Sequence, residues 1–296
     1  MSYVKCNLCG GDSYSVAFEA GIAQVNRVVK CKQCTLMYAN PRVQESDVES
    51  IEHYDPDFVL DNISKGGRQR LEKEVLQIRD YESTRDFLQQ SVPGKGKLIE
   101  IGSGLGHLID YFRQDGWETL GIEPNVGLCR YAERELHLEV MPTILEDAKL
   151  PDGFADAALM MHVIEHVPDP KGTFSEVFRI LKPGGFFVLE TPRYDTLMFS
   201  LLGKRERSLS CDGHIYFFTT STLSAFAKRS GFNIVRTDYV GRSLTMDRLL
   251  YNFGVVSKSQ FVKDACKSVS NTLGLQNIRL KINLRDMQRM YLQKPQ

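Results

Sequence analysis

An acid and three glycines at alternate positions, Glu100-Ile101-Gly102-Ser103-Gly104-Leu105-Gly106, follow the apolar pair Leu98-Ile99 and precede the amphipathic run His107 to Phe112. That order predicts a strand, a tight turn and a helix start. Glycine lets the backbone fold sharply and approach a ligand closely, while the free N–H groups opening a helix attract polar, electron-rich groups. The chemistry of such a turn is cofactor binding. A dinucleotide fingerprint beginning at Gly102 requires glycine at 107, but the chain has His107 there and glycine at 106, which weakens a nicotinamide reading. Further on, Thr119-Leu120-Gly121-Ile122 ends in Glu123-Pro124. A carboxylate at a strand tip suits a ribose cis-diol, since two acceptor oxygens can meet two hydroxyl donors. Glu123 therefore supports a nucleoside without choosing between cofactors.

Cys6-Asn7-Leu8-Cys9 and Cys31-Lys32-Gln33-Cys34 are two knuckles separated by twenty-one residues. Four thiolates at this spacing close a tetrahedral zinc site and leave no position for water, so the Zn2+ on Cys6, Cys9, Cys31 and Cys34 is expected to be structural. A segment this short buries too little apolar surface to fold alone, and metal binding supplies the difference. Gly10 eases the turn in the first knuckle; the second carries Thr35. Two redox-active pairs are the competing reading, but neither is followed by the helix such pairs open.

Downstream, Leu145-Glu146-Asp147-Ala148 precedes Leu150-Pro151, and an apolar run, Phe154 to Met161, leads into His162-Val163-Ile164-Glu165-His166-Val167-Pro168-Asp169-Pro170. A helical stripe at 174, 177, 178 and 181, then Lys182-Pro183-Gly184-Gly185 and the strand Phe186 to Glu190, complete the series. In this order, over roughly residues 97 to 240, the motifs resemble class I S-adenosylmethionine-dependent methyltransferases, in the ubiquinone-methyltransferase-like branch. The resemblance implies an α/β fold with a doubly wound, seven-stranded, mostly parallel Rossmann-like sheet. It also implies S-adenosyl-L-methionine held by Glu100, Gly102, Ser103, Gly104, Gly106 and His162. Glu123 would face the ribose hydroxyls, and Asp147 the adenine amine with the Ala148 backbone beside it. An unrelated nucleotide-binding or non-catalytic doubly wound sheet is the bland alternative.

The elements that must position these groups divide the chain into a zinc ribbon over 1–42, a helical linker or lid over 43–93, and a methyltransferase domain over 94–296. A helix is expected from about 67 to 90, a helix from about 220 to 230, a strand over Phe232 to Tyr239 and a last strand over Met287 to Leu292. Insertions at 192–218 and 241–284, the second partly helical, should cover the substrate, because open α/β sheets bind ligands beyond the carboxyl ends of their strands. Aromatic residues at 194, 199, 216, 217 and 218 suit a hydrophobic or sugar-stacking wall, with half of them expected to be ordinary core.

Sulfonium is already an excellent leaving group, so most of the rate comes from alignment in a dry site. A hydroxyl acceptor also needs a base, and His214, His166 and His162 are the candidates, with Glu165 beside them. His214 is favoured because it lies in the first insertion. Glu165-His166 also resembles a pair that can sit near a divalent cation in the ubiquinone branch. The acceptor is expected to be a hydroxyl of a small molecule or sugar or glycan precursor. A sugar C-methyltransferase and an RNA methyltransferase using the ribbon for RNA recognition are the alternatives. Nucleic acid is disfavoured by the balance of 37 Lys and Arg against 37 Asp and Glu. That balance is uneven along the chain: residues 44–61 carry seven acids and no Lys or Arg, whereas the stretch from 258 onward is net +6. A solvated face is the bland account of each. A chain of 296 residues, 42% hydrophobic and 25% charged, fits a soluble protein, and its seven scattered cysteines fit a reducing compartment. No membrane span is expected, and a cytoplasmic location is.

Overall fold

The computed structural model describes residues 2–19, 27–42, 77–203, 213–246 and 278–296, with Leu209, Ala265 and Ser268 besides. The acidic run at 44–61, the start of the helix expected from 67, the basic knot at 204–207 and most of the 241–284 insertion lie outside the described residues.

Near the N-terminus, β1 (Tyr14–Phe18), β2 (Val28–Cys31) and β3 (Met37–Ala39) form an antiparallel meander. A 3-10 turn at Ile78–Tyr81 leads into α1 (Glu82–Ser91). Strands and helices then alternate: β4 (Lys97–Ile101), α2 (His107–Gln114), β5 (Glu118–Ile122), α3 (Val126–Leu136), β6 (Val140–Met141), β7 (Ala155–Met161), α4 (Pro170–Ile180) and β8 (Leu181–Pro192). After α5 (Leu197–Leu202) come β9 (Tyr216–Phe217), α6 (Thr220–Arg229), β10 (Asn233–Thr245) and β11 (Arg279–Gln293).

The seven-stranded sheet runs β10-β11-β8-β7-β4-β5-β6, parallel from β8 to β6 and antiparallel at β11 and β10. This is the doubly wound Rossmann-like sheet expected from the sequence. Strand order reverses at β4, whose neighbours are β5 on one side and β7 on the other, so a crevice opens beyond their carboxyl ends. Ile99, Ala158, Met160, Phe187 and Leu189 are fully buried, as required of central strands covered on both faces. On α4, Phe174, Val177 and Ile180 form the buried stripe.

Four strands differ from expectation. β10 and β11 are far longer than Phe232–Tyr239 and Met287–Leu292, pairing from Asn233↔Gln293 out to Thr245↔Arg279. Their outer halves have few buried residues, so no inward-facing periodicity marks them in the sequence. The flanks of the 241–284 insertion are accordingly strand. β8 starts at Leu181, with Lys182-Pro183-Gly184-Gly185 carried inside it, because Leu181 already pairs with Ala155. Finally, β9 joins the N-terminal meander, Tyr38 opposite Tyr216 and Met37 opposite Phe217, in a four-stranded sheet ordered β1-β2-β3-β9.

Candidate active site and four-cysteine centre

The turn after β4 has the geometry its glycines suggest. Gly102, Gly104 and Gly106 take φ of 73°, 57° and 85°, left-handed values that L side chains rarely adopt. Gly102 N and Ser103 N donate to Ile122 O at 2.7 and 3.2 Å, fastening the turn to the end of β5. Glu123, 7% exposed, accepts from Gly104 N through Oε2 and from Asn125 N through Oε1, each at 2.9 Å. The acid thus orders the turn, and a carboxylate's several acceptor positions leave this compatible with ribose hydroxyls. Glu100 and Ser103 are buried beneath it. Asp147 ends a 3-10 turn at Leu145–Asp147 with its side chain exposed, and Ala148 behind it is buried, its N–H held by Ile144 O and Leu145 O.

Beyond β7, the Val163 side chain of the 162–169 loop packs directly on this turn: a Cβ on Gly102 would lie 2.3 Å from Val163 Cγ2. The loop brings together three of the expected groups with one from the first insertion. Ligand atoms of Glu165, His166 and His214 all lie within 4.8 Å of one another. The His166 and His214 rings meet edge to face at 4.6 Å. His214, 8% exposed, has Nδ1 3.4 Å from Tyr194 Oη and Nε2 4.0 Å from Glu165 Oε1. Glu165 is buried, with Oε2 accepting from Thr191 Oγ1 at 2.8 Å. The donor set of one carboxylate and two imidazoles could also hold a divalent cation.

His162 sits at φ 59°, its N–H donating to Glu190 O at 2.8 Å and its Nε2 lying 3.2 Å from Glu190 Oε1. Sequence reasoning missed Glu190 and its partner Arg289. Arg289, 1% exposed, meets Glu190 Oε2 through Nε at 2.7 Å and Nη2 at 2.6 Å, and donates through Nη1 to Thr84 Oγ1 and Asp80 O. A charged residue interrupting each of two apolar strand runs was the available signal. Burial alone would raise the Glu190 carboxyl, but the Arg289 charge and His162 outweigh it and bring it down to about 2. Burial opposes protonation of His162, but Glu165 and Glu190 outweigh it and raise its pKa. Burial likewise pushes Glu165 up, and His162 and His166 hold it below the usual carboxylate range.

The aromatic residues of the first insertion are placed differently from a substrate wall. Tyr194, Tyr216, Phe217 and Phe218 are at most 4% exposed, Tyr194 crossing Phe199 and Phe217, and Phe218 packing on Phe226. Their side chains make core, because β9 turns this segment toward the N-terminal sheet.

In the knuckles that flank β1 and β2, the four cysteine sulfurs lie within 4.8 Å of one another, Cys6 to Cys34 at 3.4 Å and Cys9 to Cys31 at 3.5 Å. A tetrahedral thiolate shell around zinc needs sulfurs about 3.8 Å apart, so the group is compatible with that ion. Gly10 and Thr35 occupy equivalent places, φ 75° and 63°, with Gly10 N and Thr35 N donating to Cys6 O and Cys31 O. Thr35 therefore departs from glycine in type and keeps its conformation.

Comparison with known proteins agrees with this geometry. The profile of a family described as methyltransferase domain matches residues 68–237, more than half of the chain, and the chain belongs to that family. It is 32% identical over 108 residues to an uncharacterized methyltransferase of Mycobacterium sp. strain KMS, a stretch covering 34% of this chain and only 40% of that protein's length. It is 26% identical over 204 residues to a ubiquinone biosynthesis O-methyltransferase of Pseudomonas fluorescens, covering 63% of this chain and 84% of that one. An S-adenosylmethionine-dependent methyltransferase of Methanosarcina mazei shares the fold, with TM-score 0.50 at 18% identity over 71% of this chain and 97% of its own. The chain therefore carries a class I S-adenosylmethionine-dependent methyltransferase domain. No helix among the described residues is long and apolar enough to cross a membrane.

Proposed function

We propose that this chain transfers a methyl group from S-adenosylmethionine to a hydroxyl of a small molecule or sugar or glycan precursor. The observation that carries the reading is the gathering of Glu165, His166 and His214 beside the glycine turn. The bound cofactor supplies an electrophilic methyl on a sulfonium. Gly102 to Gly106 with Glu100 and Ser103 seat it, Glu123 takes the ribose and Asp147 with Ala148 the adenine. His162, fixed by Glu190, closes the mouth of the cofactor crevice. His214 takes the acceptor's proton at Nε2, while Tyr194 Oη at Nδ1 holds the ring and the Glu165 carboxylate, 4.0 Å from Nε2, balances the charge that forms. His166 packs on its face. The likeness to an O-methyltransferase supports oxygen as the acceptor atom. The four cysteines hold one structural zinc as thiolates, and cysteines kept out of disulfides suit a cytoplasmic protein.

Cell extracts incubated with methyl-labelled cofactor test the reading: label in a small metabolite or glycan precursor supports it, and label in RNA refutes it. In His214→Ala, turnover should fall at least about a hundredfold while S-adenosylhomocysteine binds as before in a calorimetric titration. Unchanged turnover removes His214 from the chemistry.

A further inference from the structure

The loop that carries Glu165 and His166 has little internal support. Within it His166 N donates to Val163 O, and His162 N reaches Glu190 O. Thr191 Oγ1 holds the Glu165 carboxylate, and further fastenings come from the four-cysteine unit and from the segment that carries His214. Asn7, inside the first knuckle between Cys6 and Cys9, donates to Asp169 Oδ1 at 2.6 Å and accepts from Lys171 N at 2.8 Å, pinning the start of α4. Arg42, just past β3, donates from Nη1 to Pro168 O at 3.0 Å, and its guanidinium lies 4.4 Å from the centre of the Tyr216 ring. Tyr216 Oη donates to the same Pro168 O at 3.2 Å. β3 meets the His214 segment through the β9 ladder and through Ala39 N, which donates to Ile215 O at 2.9 Å. That segment in turn grips the loop, since Ile215 N and Tyr216 N both donate to Glu165 O, at 2.9 and 3.1 Å.

We propose that the four-cysteine unit is a positioning element for the acceptor half of the site, with Asn7 and Arg42 as its contact residues on the 165–171 loop. The inference rests on the reading of Glu165, His166 and His214 as that acceptor half. Its physical basis is geometric: a displacement of about 1 Å in a reacting group can cost on the order of a hundredfold in rate, and an irregular loop needs outside ties to hold its place. The knuckle turn fixes where Asn7 points, and the Cys31–Cys34 knuckle sets where β3 and Arg42 begin. The cofactor turn, held by β5 and Glu123, receives no such tie from Asn7 or Arg42. Coupling should therefore reach the acceptor side and spare cofactor affinity.

The test uses full-length Asn7→Ala, Arg42→Ala and Arg42→Lys. In the two alanine variants, amide exchange over 163–171 and 213–218 should accelerate at least tenfold. In protein labelled with 15N-histidine, the His166 and His214 signals should move while those of His107 and His137 stay. S-adenosylhomocysteine affinity should remain within twofold, and Arg42→Lys, which keeps the charge beside Tyr216, should largely restore the wild-type pattern. Treating the wild-type protein with a strong zinc chelator should expose the same two segments before the 102–106 turn.

Wild-type exchange and histidine signals in both alanine variants would overturn the proposal. So would uniform loss of protection together with loss of S-adenosylhomocysteine binding in all three variants, which marks a general folding role. Failure of the proposed chemistry looks different: the coupling appears as described, but His214→Ala turns over normally.

Discussion

The glycines of the cofactor turn make distinct demands, and their substitution separates folding from binding. A methyl group on Gly102 would sit 2.3 Å from Val163 Cγ2, whereas one on Gly104 meets nothing within 4 Å. Gly102→Ala should cost about 2–4 kcal/mol, combining left-handed strain with a clash against the 162–169 loop. Gly104→Ala should cost only about 1–2 kcal/mol and yet weaken S-adenosylhomocysteine at least tenfold, since the methyl enters the space reserved for the ligand. Urea unfolding and calorimetry on both variants check this, and full affinity in Gly104→Ala would dissociate the turn from the cofactor. The Glu190–Arg289 pair gives a second prediction. Because the folded Glu190 value of about 2 lies below its ordinary 4.5, the pair stabilises fully above about pH 4.5, and that contribution is lost as pH falls toward 2. Arg289→Met leaves a buried carboxylate without its main partner and should cost about 3–5 kcal/mol at pH 7. The deficit should narrow between pH 4.5 and 2, as followed by urea unfolding across that range.

Among the elements, α6 shows how local chemistry fixes the segment that follows β9. Thr219 Oγ1 accepts from Thr222 N at 3.2 Å and Thr222 Oγ1 from Thr219 N at 2.9 Å, a reciprocal box that satisfies two backbone donors. Thr219→Ala should cost about 1 kcal/mol and lower the melting temperature by a few degrees, while Thr219→Ser should be nearly neutral. A thermal melt decides this. The helix at 220–229 was readable because a cap and an apolar stripe coincide there, whereas α4 was read from its stripe as starting at Phe174 and in fact starts at Pro170. β9 had no comparable signal. Its two residues sit in an aromatic run that fits a wall, a lid or a core equally, and only a partner strand decides which.

At the scale of the whole molecule, the zinc-compatible centre lies beside the sheet that joins the N-terminal meander to β9, with Asn7 of its first knuckle on Asp169 and Lys171. The purified protein should contain about one equivalent of zinc per chain by mass spectrometry of the metal. Cys34→Ser should lose that metal and lower the melting temperature, because three remaining thiolates no longer complete a closed shell. Full metal content in that variant would refute the four-thiolate assignment.

The seven-stranded sheet, the glycine turn after β4 and the cysteine group were legible because each depends on neighbours in sequence. Strand, glycine turn and helix follow one another within a few residues, and each knuckle is a local backbone fold. Asp147, Glu123 and the 162–166 loop could be singled out by their place after successive strands. Sequence could not pair His214 with Glu165, Glu190 with Arg289, or Arg42 with Pro168 and Tyr216, because those contacts join residues brought together only when crossovers and the β3–β9 ladder close. Local spacing determined which chemical groups this chain owns. Tertiary packing decided which of them meet, since burial and contact distance depend on elements far apart along the backbone.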